Sequence, residues 1–194
     1  MISEAIILAG GLGTRLRNAV PDLPKCMAPV KGKPFLHYVI EHLKQQGIQH
    51  FIFSLGYKHE VIEDYLKRFY SDLKYSIVLE EEPLGTGGAI KLACSKLNGK
   101  NVIVANGDTL FALDVNKLSG FHAMCGADCT LSLKKMYDFD RYGVVELESN
   151  YAVKAFKEKS KYAEGLINAG VYALNADNFR KKNYLRSSLS KLII

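Results

Sequence analysis

Ala5-Ile6-Ile7-Leu8-Ala9-Gly10-Gly11-Leu12-Gly13-Thr14-Arg15-Leu16, followed by Pro24-Lys25, is the stretch that decides the fold. It begins as a short unbroken apolar run, the pattern of a strand buried on both faces, and empties directly into glycines, the pattern of a loop. Glycines at that point let backbone N–H groups approach phosphate oxygens, because no Cβ stands in the way. Arg15 adds a two-pronged donor and Lys25 a point charge. Two better-known phosphate loops do not match. A P-loop requires Gly-Lys-Ser/Thr after its spacer, and none follows here. A dinucleotide fingerprint read from Gly11 and Gly13 requires a small residue where Leu16 stands, and the next strand ends in Ser54-Leu55 without a ribose-binding acid. A plain strand-to-helix turn accounts for the glycines but leaves Thr14, Arg15 and Lys25 unexplained.

Outward from this loop, apolar periodicity alternates between helix and strand. Phe35, Leu36, Val39, Ile40 and Leu43 recur at helical spacing after Pro34, and Gly47 stands where a left-handed cap belongs. Residues 51–55 read as a strand, and Val61, Ile62, Tyr65, Leu66 and Phe69 as the face of a helix. A strand at 75–79, a helix at 89–97 and a strand at 102–105 follow, the last running into Asn106-Gly107-Asp108. After Asp114 a helix is expected at 115–124, then strands near 130–133, 143–147, 153–156 and 166–174. The alternation predicts an α/β chain with a mixed, mostly parallel sheet and helices on both faces. No Pro-, Gly- or Ser-rich linker and no repeat divides it, so residues 1–194 are expected to form one domain.

Composition narrows the function classes. A chain of 194 residues, 48% hydrophobic, can bury a proper core. No run reaches the length of a membrane span, and the start Met1-Ile2-Ser3-Glu4 lacks the features of a signal peptide, so no membrane partner and a cytoplasmic location are expected. Of the 4 cysteines only Cys125 and Cys129 are close in sequence, with no second pair, and the 5 histidines are scattered; no zinc site is expected. The net charge of +6 suits a nucleic-acid binder, but lysines such as Lys154, Lys157, Lys159 and Lys161 come singly or in short groups. Small polyanionic ligands explain the charge as well, and no nucleic-acid partner is expected.

Asn106-Gly107-Asp108 closes a strand where ligands gather in open parallel sheets. An Asp there is often only a turn former. Beside a phosphate-binding loop, Asp108 is also a natural ligand for Mg²⁺, which prefers carboxylate and phosphate oxygens.

The glycine loop with Thr14-Arg15-Leu16 and Pro24-Lys25 resembles the signature of the sugar-phosphate nucleotidyltransferases, Gly-Gly-x-Gly-Thr-Arg-Leu with a downstream Pro-Lys. Arg17-Asn18 stands where members usually carry Pro. The resemblance implies the Rossmann-like fold of nucleotide-diphospho-sugar transferases, with a nucleotide-binding half at 1–112, a sugar-binding half at 113–182 and an atypical tail at 183–194. It implies Arg15, Lys25 and Asp108 as catalytic residues, Asp108 as the metal ligand, and Leu8, Gly10, Gly11, Gly13, Thr14, Glu80, Pro83, Gly85, Thr86 and Asn106 around the nucleotide.

Glu80 falls where the family places a side chain on the pairing edge of the base, although a run Glu80-Glu81-Glu82 can also be a solvated strand end. A carboxylate there suits guanine, whose N1–H and exocyclic amine lie side by side, so GTP is the expected triphosphate. Tyr142-Gly143-Val144, Phe156-Lys157-Glu158-Lys159 (with Ser160 in place of the family's Pro) and Asn168-Ala169-Gly170-Val171-Tyr172 resemble the sugar-binding segments. They implicate Gly143, Glu158, Lys159 and Asn168 in binding the sugar 1-phosphate; an ordinary strand bend, a charged strand end and core packing are their bland alternatives.

Residues 136–143 and 83–88 resemble the members acting on D-glycero-D-manno-heptose 1-phosphate, with mannose 1-phosphate as the alternative sugar. The family's second metal-binding Asp, in Asp-x-Gly, has no counterpart after Tyr172, so weak Mg²⁺ binding and low turnover are expected, or a nucleotide-sugar binding protein without turnover. Self-association into a homo-oligomer is left open.

Overall fold

The computed structural model describes residues 1–11 and 22–181. Gly13, Thr14 and Arg15 and the 183–194 tail therefore lie outside the described residues.

The elements run β1 (Glu4–Ala9), β2 (Pro29–Val30), β3 (Lys33–Pro34), α1 (Phe35–Gln45), β4 (His50–Leu55), α2 (His59–Phe69), β5 (Lys74–Leu79), α3 (Gly85–Ala93), β6 (Asn101–Asn106), α4 (Val115–Cys125), β7 (Cys129–Phe139), β8 (Val145–Leu147), β9 (Val153–Phe156), β10 (Tyr162–Asn175) and α5 (Ala176–Lys181). Six strands form the central sheet in the order β5-β4-β1-β6-β10-β7. β5, β4, β1 and β6 are parallel, and β10 is antiparallel to both of its neighbours. The expected mixed, mostly parallel sheet is therefore present.

β1 shows why a fully apolar run was needed. Ala5, Ile7 and Ala9 point to the face covered by α1 (Leu36, Val39, Ile40) and α2 (Ile62, Leu66), whereas Ile6 points to the face covered by α3 (Ile90, Ala93) and α5 (Phe179). Alternate side chains serve opposite cores, so no position on this strand can be polar without cost. After β5 the chain returns to the other side of β1 to lay down β6, so β1 and β6 lie side by side at the switch point of the sheet, and the loops that follow their carboxyl ends border the crevice.

Several local expectations hold. Gly47 has φ +90 and its N–H donates to the Lys44 carbonyl, closing α1. The helix expected from residue 115 is α4, and Asp114 caps it by accepting from the Lys117 N–H at 3.0 Å. Others need correction. α3 starts at Gly85 rather than at 89 and ends at Ala93, a 3-10 turn taking over at Cys94–Lys96. Gly87 and Gly88 weaken helix propensity, but packing of Ile90 and Ala93 against the sheet overrides it. β7 and β10 extend well past the expected strands, because their outer parts pair with each other from Phe139–Tyr162 inward. The hairpin β2–β3 and helix α5 were not expected; the hairpin turns on Lys31 and Gly32, both with positive φ (48 and 80), as a type I′ turn requires.

Candidate active site

The crevice at the carboxyl ends of the parallel strands holds a cavity of about 630 Å³. Leu8, Ala9, Gly10 and Gly11 come to it from the end of β1, and Asn106 and Asp108 from the end of β6. Glu80 enters after β5, and Pro83, Gly85, Thr86 and Ala89 line it from the loop and first turns of α3. Lys25 and Cys26 reach it from a single 3-10 turn, Lys25–Met27. Thus Leu8, Gly10, Gly11, Glu80, Pro83, Gly85, Thr86, Asn106, Lys25 and Asp108, ten candidates dispersed over the sequence, share one cavity.

Backbone contacts explain how these loops come so close. The Gly107 N–H donates to the Leu8 carbonyl at 2.9 Å, tying the end of β6 to that of β1. A Cβ on Gly56 would lie 2.8 Å from the Gly10 carbonyl, and a Cβ on Gly10 would run into the Glu80 carboxylate. At Gly10 the missing side chain thus lets a carboxylate sit against the main chain.

The 3-10 turn works as an anchor. Cys26 and Met27 are buried, which leaves Lys25 facing the cavity, where its ammonium lies 2.5 Å from the Asp108 carboxylate. Both groups remain partly open, with side-chain exposures of 41% and 30%. Burial, and then the Asp108 carboxylate, push the Cys26 thiol up to about 12, so it stays protonated and is no nucleophile at neutral pH. Burial likewise pushes the Cys129 thiol up to about 12, and no group of three or more His, Cys, Asp or Glu able to hold a metal exists among the described residues.

Glu80 is held differently. Its Oε1 accepts from the Ser54 hydroxyl at 3.1 Å and its Oε2 from the Leu84 N–H at 3.3 Å. Ser54, Leu84 and Gly56 were not among the candidates. The one signal for Ser54 is a hydroxyl following Phe51-Ile52-Phe53 in a strand otherwise wholly apolar at its end.

The four sugar-site candidates do not line this cavity. Gly143 precedes β8 and Glu158 and Lys159 follow β9, in the half of the chain built on β7–β10. A Cβ on Gly143 would collide with the Lys157 carbonyl, so glycine is needed there to close the β8–β9 ribbon. Asn168 shapes a bulge in β10: its Oδ1 accepts from the Gly170 N–H and its amide N–H donates to the Tyr172 hydroxyl, both at 2.9 Å. Gly170, at φ +79, abuts the Asn106 amide, so the bulge adjoins the carboxyl end of β6.

A second, open depression of about 610 Å³ lies between the end of α1 and the start of α4, but no lysine or arginine among the described residues lines it, which disfavours a polyphosphate there.

A glycine loop after the first strand, a topological switch point and a lysine–carboxylate pair define a nucleotide-binding α/β protein. The sequence profile described as Nucleotidyl transferase matches residues 4–191, and the chain belongs to that family. It is 52% identical over 172 residues to the D-glycero-alpha-D-manno-heptose 1-phosphate guanylyltransferase of Aneurinibacillus thermoaerophilus, covering 89% of this chain and 74% of the relative. It is 46% identical over 176 residues to the enzyme of the same name from Campylobacter jejuni, covering 91% and 77%. HddC from Yersinia pseudotuberculosis complexed with GMP-PN superposes with a TM-score of 0.86 at 37% identity, over 98% of this chain and 84% of that one.

Proposed function

We infer that this protein is a guanylyltransferase that joins GTP to D-glycero-D-manno-heptose 1-phosphate, releasing pyrophosphate. The observation that carries the reading is that Glu80, with one acceptor position on each carboxylate oxygen not taken up by the described residues, shares a cavity with Lys25 and Asp108. An ionised carboxylate has about four lone-pair positions. The two open ones match the adjacent N1–H and amino N–H of guanine; adenine, uracil and thymine offer no such pair.

In the reaction a phosphate oxygen of the sugar 1-phosphate attacks the α-phosphorus of GTP. A new P–O bond forms, the bond from the α-phosphorus to the bridging oxygen breaks, and the electron pair leaves with pyrophosphate. No general base is required, because a phosphate monoester with a second pKa of about 6 is already mostly dianionic at neutral pH. The barrier is the approach of anion to polyanion, about 4 kcal/mol per pair of unit charges at about 4 Å and an effective dielectric of about 20. Fixed positive charge and alignment lower it.

Lys25 supplies such charge from a buried anchor, and Gly10, Gly11 and the first residues of α3 line the same cavity. Arg15 joins them by the family pattern. Asp108 fits Mg²⁺, being a hard oxygen donor open to the cavity, with the remaining ligands left to phosphate and water, as this ion usually accepts. Asp108 would hold the ion, whose charge would neutralise phosphate oxygens. Residues 1–112 make the nucleotide half and 113–182 the sugar half, where Gly143, Glu158, Lys159 and Asn168 would meet the sugar 1-phosphate.

The test is pyrophosphate release across a matrix of GTP, ATP, CTP and UTP against heptose, mannose and glucose 1-phosphates. GTP with the heptose is expected to give the highest kcat/KM. A preference for another base removes the role assigned to Glu80, and a preference for mannose 1-phosphate replaces the sugar. Glu80→Gln, which keeps one acceptor and turns the other into a donor, is expected to raise the KM for GTP about tenfold or more.

A further inference from the structure

We propose that Ser54 is a positioning residue for base selection, acting through Glu80; the inference rests on the guanine reading above. Ser54 is fully buried at the carboxyl end of β4, surrounded in sequence by core residues. A hydroxyl in such a place needs a partner, and its O–H is given to Glu80 Oε1 at 3.1 Å, across a pair of strands whose register sets Ser54 opposite Val78, two residues before Glu80.

The carboxylate is thereby held at three points. Ser54 fixes one oxygen from below, the Leu84 N–H fixes the other at 3.3 Å from the following loop, and Gly10 offers bare main chain where any side chain would displace Oε1. The terminal torsion of a glutamate is broad and two-fold, so nothing intrinsic orients its plane. A two-pronged contact with guanine requires a fixed plane, because both N–H donors must meet their oxygens together. The hydroxyl of Ser54 supplies that fixation in advance, which lowers the ordering cost of binding. Ser54 does not line the cavity, so its effect must travel through Glu80.

The distinguishing measurement compares GTP with inosine triphosphate, which keeps the N1–H of guanine and lacks its amino group. In wild type the ratio of kcat/KM, GTP over ITP, reports the two-pronged contact. Ser54→Ala is expected to raise the KM for GTP about 5- to 10-fold, change kcat less than about 2-fold and compress that ratio toward one. Ser54→Thr, which keeps the hydroxyl, is expected to retain most of the ratio, and Gly10→Ala, which pushes the carboxylate off its seat, to lose it. Thermal melts of each variant separate these changes from loss of fold. If Glu80→Gln compresses the ratio and folded Ser54→Ala leaves it at the wild-type value, the inference fails while the role of Glu80 stands. If Glu80→Gln leaves the ratio unchanged, the guanine reading fails and the inference with it.

Discussion

The two ends of the central sheet each hold a glutamate by hydrogen bonds from its own chain, and they treat it in opposite ways. At the amino end, Glu4 is buried and accepts from His50 Nδ1 at 2.7 Å, from the Asn98 N–H and side-chain amide, and from the Gly99 N–H at 2.5 Å. His50 in turn reaches Ser76 through Nε2 at 3.1 Å. At the carboxyl end, Glu80 has two such partners among the described residues and opens into a cavity. A carboxylate whose acceptor positions are consumed by its own chain fastens strands together. One that is clamped but left half open is prepared for a ligand. The count of partners, rather than the presence of a buried acid, separates structure from function here.

This contrast can be broken experimentally. The largest effect is expected at the functional end: Asp108→Ala should lower kcat for pyrophosphate release by about 10²- to 10³-fold with little change in melting temperature. A melt that falls by many degrees with activity retained would reverse the assignment. Glu4→Ala should do the opposite, stranding His50 and the 98–99 N–H groups at a cost of about 3 kcal/mol and a fall in Tm of roughly 6–12 °C, while the residual folded protein keeps its KM for GTP.

Acid sharpens the same difference. Burial would raise the Glu4 pKa, but bonds from His50, Gly99 and Asn98 outweigh it and hold the group below its ordinary 4.5. Glu4 therefore binds its proton less readily folded than unfolded. Its stabilisation is present above the unfolded pKa and is lost as pH falls through the folded one. Urea melts between pH 6 and 3 should show this loss in wild type and a flatter profile in Glu4→Gln. The smallest effect is expected at the β2–β3 turn, whose residues do not line the cavity; there Gly32→Ala forces a side chain into φ +80 and should cost about 1 kcal/mol without altering kinetics.

Much of this was legible in the residues, for reasons that can be stated. β1, α1 and α2 carry their periods openly, and Gly47 marks a helix end through the conformation it alone adopts easily. The glycine loop and Asn106-Gly107-Asp108 were legible as loops after buried strands, whereas Glu80, Pro83, Gly85 and Thr86 were reached only through the resemblance to the family. The clamp on Glu80 was not legible, since it depends on β4 lying beside β5 in one register. α3 was misplaced because Gly-Thr-Gly-Gly has the local preference of a loop and becomes helix only against a sheet. The outer reach of β10 was hidden because exposed pairs with β7 leave no apolar alternation to read.

β10 also joins two parts of the molecule. A strand of 14 residues begins among the sugar-site segments and ends in the core beside β6, the strand that leads into Asp108. One strand is thus shared by the parallel strands and the β7–β10 ribbon, its pairing with β7 interrupted between Asn168 and Tyr172. A bend of that ribbon would fall most readily at the irregular step between Asn168 and Tyr172, where Gly170 abuts the Asn106 amide.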